Sequence, residues 1–184
     1  MRHRRFGLWL LFSGALAVLA RKPSTHLTGQ WRCVIVGEGS ARGSLERRIA
    51  EANLQEHVSL PGRVGADELH NWYEAATLFV HPTLYEGSSI VTLEAMAHRR
   101  AVIGSNAGGI PDKVRPGING WLVDPGDEQG LIRAVEQALA DRNRLIQMGR
   151  EGRAIVEREF SWKAATDRVV ALYDEILTTS LAAR

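Results

Sequence analysis

From residue 31 onward, short runs rich in β-branched and aromatic residues alternate with longer segments whose apolar positions recur at helical spacing. This rhythm predicts a doubly wound parallel sheet, with helices covering both faces. The expected strands span residues 31–36, 57–60, 78–81, 101–105 and 120–123. Helices are expected near 43–52, 67–76, 89–98, 111–115, 128–140, 144–159 and 161–178, with no internal repeat and no long linker. Residues 6–20 can be read in two ways. Gly7, Leu10, Leu11, Ala15, Leu16 and Leu19 would form the apolar face of an opening helix. Alternatively, the basic start followed by a short apolar stretch and small residues has the form of a signal peptide, too short to span a bilayer. We take the helix. No strand then precedes it, so residues 31–36 and 78–81 would each present an unpaired edge in the sheet interior, and the chain would be marginally stable alone.

The 184 residues suffice for one well-packed domain, and we read residues 1–184 as a single unit. An apolar content of 45% and a charged content of 24% exclude a largely disordered chain. The net charge of +2 decides little. Arginines gather at Arg2/Arg4/Arg5, Arg47/Arg48 and Arg99/Arg100 without interleaved aromatics, so nucleic acid is not the expected partner. Solvated faces account for them, with peripheral contact to anionic lipid as a minor option. Cys33 is the only cysteine and sits in an apolar run, as a buried small hydrophobe in a reducing compartment would, so the expected location is cytoplasmic.

One acid stands out. In Ile90-Val91-Thr92-Leu93-Glu94-Ala95-Met96-Ala97, Glu94 interrupts an otherwise apolar helical run, and a buried carboxylate needs donors. Either a ligand or a neighbouring arginine must supply them. Upstream, Glu86 precedes Gly87, Ser88 and Ser89, residue types suited to a tight loop opening a helix whose first N–H groups could face an anion. Gly37-Glu38-Gly39 lies between a strand and a helix, a site of close backbone approach or a plain turn. His81 is expected to be a hydrogen-bonded strand end, not a catalytic base. Neither the scattered histidines nor the acids have metal-ligand spacing.

In order along the chain stand Val34-Ile35-Val36-Gly37-Glu38-Gly39, Val58-Ser59-Leu60-Pro61-Gly62, Pro82 ahead of Glu86-Gly87, Gly108-Gly109-Ile110-Pro111, Gly117-Ile118-Asn119-Gly120-Trp121-Leu122-Val123 and Phe160-Ser161-Trp162. From about Gly7 to Tyr173 this series resembles the C-terminal, donor-binding half of retaining group-one glycosyltransferases of GT-B architecture, a Rossmann-like domain. The pair Glu86 and Glu94 is similar to that family's E-x7-E motif. The resemblance implies that Glu86 is the catalytic-site acid facing the transferred hexose. Glu94 would accept hydrogen bonds from the ribose hydroxyls. The amides of Gly87, Ser88, Ser89 and Ile90 would meet hexose and phosphate oxygens, Gly37 and Gly39 would let the nucleotide approach, and Arg63 and Val64 would read the base through main-chain atoms.

The resemblance further implies a UDP- or GDP-sugar as donor substrate, transfer with retention, neither cofactor nor bound metal, and an acceptor-binding N-terminal domain as partner, without which this chain would be inactive. Three departures stand against it. Phe6 occupies the place of a lysine that relatives use near the diphosphate, with Arg4 or Arg5 as potential substitutes. Ser89 replaces a frequent glycine. Ala97-His98-Arg99-Arg100-Ala101-Val102 lacks the glycine and proline of Ala-x-Gly-x-Pro-Val. An alternative function is a nucleotide-sugar-binding or partner-binding module with no turnover; a third is the same architecture running another reaction, such as sugar epimerisation.

Overall fold

A computed structural model describes residues 8–13 and 31–182. Six strands, β1 Leu8–Ser13, β2 Trp31–Val36, β3 Val58–Gly62, β4 Leu78–His81, β5 Ala101–Ser105 and β6 Gly120–Val123, form one sheet in the order β3-β2-β1-β4-β5-β6. Every neighbouring pair is parallel. This is the doubly wound arrangement expected from the alternation of elements, with the strand order reversing between β1 and β4.

The opening segment corrects the sequence reading. Leu8–Ser13 is a strand, not the start of a helix, and it occupies the sheet centre, where Leu10 pairs with both Cys33 and Leu78. The first strand is therefore present, and the open edges expected on β2 and β4 are filled. Six successive residues with five apolar side chains suit a helix face or a fully buried strand equally, so periodicity cannot separate them. Two unpaired parallel edges decide in favour of the strand. The remainder of the expected helix, Phe6 and Gly7, and Arg4 and Arg5 lie outside the described residues.

Alternation along the strands sends side chains to two cores. Trp31, Cys33, Leu78, Val80, Ala101 and Ile103 pack on one face against helices α4 (Glu128–Ala140) and α5 (Arg142–Ile155). Val34, Phe79 and Val102 point to the other, where they meet Tyr73 of α2 (Ala66–Ala75), Ala95 and Met96 of α3 (Ile90–Ala97), and Ile110 and Val114. Burial pushes the Cys33 thiol up to about 12, so it is an inert hydrophobe. Helix α1 (Arg42–Glu51) follows β2.

Two expected helices differ. Residues 111–115 form a turn, with the amides of Lys113 and Val114 both bonded to Ile110 O, because five residues bounded by Pro111 and Gly117 cannot repay helix nucleation. The expected helix 144–159 divides into α5 and a π-helical turn, Val156–Phe160, before α6 (Trp162–Ala182). At the position where the family resemblance implied a glycine, Arg99 takes the left-handed conformation itself (φ 56°), at a cost of about 1 kcal/mol. Helix α6 leaves Val169, Val170, Leu172, Tyr173, Ile176 and Leu177 half or more exposed.

Candidate functional site: two loops at the carboxyl ends of the strands

Strand β4 is buried throughout and delivers His81 to the carboxyl edge of the sheet. The chain then runs through Glu86, Gly87 and Ser88 before entering α3. Ser89 caps that helix: its Oγ accepts from Thr92 N at 3.3 Å and lies 2.8 Å from Thr92 Oγ1. His81 Nε2 is 3.3 Å from Glu86 Oε2, so the strand end and the loop acid are in contact. Gly87, Ser88 and Ile90 are exposed, and Glu86 is half-buried.

Glu94 is half-buried on α3, and its partner is a tyrosine, not the arginine considered from the sequence. The Tyr73 hydroxyl donates to Glu94 Oε2 over 2.9 Å. Tyr73 is 3% exposed; burial first, then the charge of Glu94 and the hydrogen bond itself, raise its pKa above the ordinary value of 10. The hydroxyl therefore remains a donor. His98 stacks on the Tyr73 ring, its Nδ1 lies 2.8 Å from Glu94 O, and its Nε2 lies 2.8 Å from His70 Nδ1.

The loop after β5 locks onto the loop after β4. Gly108 has φ +52°, and a Cβ there would fall 1.6 Å from Glu86 O. The Gly109 amide is shared between Glu86 O at 3.2 Å and Gly87 O at 3.1 Å. Behind both loops, the Lys113 ammonium donates to Gly109 O at 2.9 Å and to Ser88 Oγ at 3.4 Å.

A second cluster forms at the ends of β2 and β3. Gly37 (φ +126°) donates its amide to Gly62 O at 2.9 Å, tying the Gly37–Gly39 turn to the loop that carries exposed Arg63 and half-buried Val64. A cavity of about 160 Å³ opens there, lined by Ile35, Gly37, Gly39, Arg42, Leu45 and Leu60. Arg42 is held by Glu38 at 2.8 Å and donates to Leu60 O at 3.1 Å. The two clusters share one edge of the sheet, separated by β1, that is by about 10 Å or two interstrand spacings. Among the described residues, no group of three or more His, Cys, Asp or Glu could hold a metal, and no helix is long and apolar enough to cross a membrane.

Of the residues singled out from the sequence, Glu86, Gly87, Ser88, Ser89, Ile90 and Glu94 come together on the β4 side, and Gly37, Gly39, Arg63 and Val64 on the β2–β3 side. Sequence reasoning missed Tyr73 and Lys113, and it quoted Gly108 and Gly109 only as markers. A lysine three residues after a Gly-Gly-Ile turn was the one available signal; nothing marked Tyr73.

Two acids, a helix N-terminus and a pair of glycine turns thus lie together at the carboxyl edge of a doubly wound parallel sheet, flanking the point where its strand order reverses. The chain belongs to the group 1 glycosyltransferases: the family model "Glycosyl transferases group 1" matches residues 11–155. It is 36% identical over 141 residues to alpha-maltose-1-phosphate synthase of Mycobacterium tuberculosis, covering 71% of this chain and 36% of that protein. It is 34% identical over 136 residues to the GDP-mannose-dependent alpha-(1-6)-phosphatidylinositol monomannoside mannosyltransferase of the same species, covering 70% of this chain and 35% of that protein. The chain thus spans about a third of the length of these relatives. Its fold is that of the C-terminal domain of a group 1 glycosyltransferase (LpcC) from Francisella tularensis, with a TM-score of 0.73 at 23% identity over 85% of this chain and 87% of that one.

Proposed function

We propose that this chain is the donor-binding half of a retaining hexosyltransferase that uses a UDP- or GDP-sugar. The observation that carries the reading is Glu94: a half-buried carboxylate in an apolar helix whose Oε2 is held by Tyr73. A carboxylate retains acceptor sites beyond one donor, and a vicinal diol offers two hydroxyl donors to them. Ribose is such a diol. Glu86 then faces the hexose, and the amides of Gly87 to Ile90 meet hexose and phosphate oxygens. The base reaches across β1 to Gly37, Gly39 and the main chain of Arg63 and Val64. One relative is GDP-mannose-dependent, which keeps GDP beside UDP as a candidate.

Titration calorimetry with UDP, GDP and ADP tests the reading. One of them should bind, and Glu94→Ala should weaken it by about 1.5–3 kcal/mol, the range for hydrogen bonds to a charged group, with the fold intact by circular dichroism. Equal binding by parent and variant would defeat it. The exposed apolar row on α6 favours a second reading, a module that binds nucleotide sugar and a partner without turnover. Measuring donor hydrolysis by the purified chain, and transfer once an acceptor-binding half from a relative is joined to it, separates the two: turnover in either assay supports the enzyme, and binding without turnover in both supports the module.

A further inference from the structure

Lys113 is 4% exposed. A lysine is seldom buried to this degree without a carboxylate, yet among the described residues none lies within 4.0 Å of its ammonium. Its acceptors are neutral, Gly109 O at 2.9 Å and Ser88 Oγ at 3.4 Å, and the Phe160 ring centroid lies 5.9 Å away. A charge kept from water and met only by dipoles keeps most of its field, which reaches any anion placed against the two loops it binds. Ser88 is exposed while its oxygen faces the ammonium. A hydroxyl that accepts from an ammonium keeps its single proton for a partner on the other side. The ammonium, the Ser88 hydroxyl and the N-terminus of α3 thus all favour negative charge at the same place.

We propose that Lys113 is a positioning residue for a phosphate group: it fixes the Ser88 and Gly109 loops from behind, turns the Ser88 O–H outward and supplies the charge that the phosphate lacks elsewhere on this loop. The inference rests on the donor-binding reading only in taking the phosphate to belong to a nucleoside diphosphate. Inorganic pyrophosphate tests the anion niche without the nucleoside.

The full 184-residue chain is titrated with UDP, GDP, uridine, guanosine and pyrophosphate, in the parent and in Lys113→Met, Lys113→Arg, Ser88→Ala and Glu94→Ala. Lys113→Met should weaken pyrophosphate and the bound nucleoside diphosphate about tenfold while leaving the matching nucleoside within twofold. Lys113→Arg, which keeps the charge, should recover most of the loss, and Ser88→Ala should lose a smaller share. A residue that only packs the loops would weaken nucleoside and diphosphate alike, and that result overturns the proposal. Should Lys113→Met not fold, the 15N ammonium resonance of Lys113 in the unmodified chain must move on addition of pyrophosphate; a resonance that stays put overturns it too. Pyrophosphate binding that depends on Lys113, with no gain for any nucleoside diphosphate and no effect of Glu94→Ala, upholds the inference while the donor reading falls. Nucleotide binding that depends on Glu94 and not on Lys113 does the reverse, and a chain that binds no phosphate at all overturns both.

Discussion

Tyr73, on the helix before β4, donates its hydroxyl proton to Glu94, on the helix after it, over 2.9 Å. The carboxylate is therefore oriented from inside the protein, and its outward face is left for solvent or ligand. Tyr73→Phe keeps the ring against Phe79 and His98 and deletes only the donor. Unfolding by urea should show a loss of about 1.5–3 kcal/mol, and nucleotide affinity should fall without disappearing. An unchanged midpoint would mean that water replaces the phenol.

The same contact has an alkaline signature. The Tyr73 pKa is raised in the folded chain, so the protonated phenol is favoured by folding. Its contribution is complete below about pH 10, the ordinary value, and fades as pH climbs beyond it. A spectroscopic titration of the parent minus that of Tyr73→Phe isolates this group, and its midpoint should lie well above 10. A difference curve centred at 10 would refute the buried contact.

Gly108→Ala places a methyl group on the Glu86 carbonyl, where the Cβ would stand 1.6 Å from the oxygen, and it does so at φ +52°. One loop must move off the other. A loss of about 2 kcal/mol or more in chemical denaturation is expected, with weaker nucleotide binding, because the displaced loop carries Glu86. Wild-type behaviour in both assays would show that the loops are not interlocked.

Leu11→Pro tests the central strand. Leu11 pairs with Val34 on one side and Phe79 on the other, so a residue without an N–H breaks the ladder in the middle of the sheet. The cost should be about 3 kcal/mol or more, visible as a large fall in melting temperature. Were the segment a surface helix face, the substitution would break only its own hydrogen bonds and leave the sheet's cooperative unfolding as it was.

Arg115 and Arg158 hold Glu159 down to about 2, first through the hydrogen bond from Arg115. The folded value lies below the ordinary 4.5, so the stability this contact contributes is complete above about pH 4.5 and is lost as pH falls toward 2. Glu159→Gln should flatten the acid limb of the stability curve in that window and leave pH 7 to pH 9 parallel to the parent. An identical acid limb would show that the pair is not formed in solution.

The strands after residue 30 were legible because each is a short apolar run closed by glycine, proline or a polar residue, and a parallel sheet buried on both faces needs nothing more. The acid pair and its Gly-Ser-Ser loop were legible for a related reason: local spacing fixes which residues share a loop and a helix. What stayed hidden depends on contacts across the fold. Tyr73 is 21 positions from the carboxylate it serves, and Lys113 is 25 positions from Ser88. No periodicity marks such partners. Residues 8–13 failed for the opposite reason, since their pattern satisfies a helix face and a buried strand together, and only the presence of β2 and β4 chooses.

The register of β1 has a consequence for the order of folding. β2 and β3 follow β1 within one half of the sheet, β5 and β6 follow β4 within the other, and each of those pairings joins neighbours along the chain. The seam between the halves pairs Leu10 with Leu78, residues roughly seventy positions apart, so it carries the largest loop-closure entropy in the sheet. Loop-closure entropy therefore favours assembly of each half before the seam between them closes. At the carboxyl ends of the strands, the Gly37 turn lies on one half and the Glu86 loop on the other. A ligand long enough to touch both staples the two halves across that seam, and hydrogen exchange along β1 would record its arrival as slowed opening of the seam.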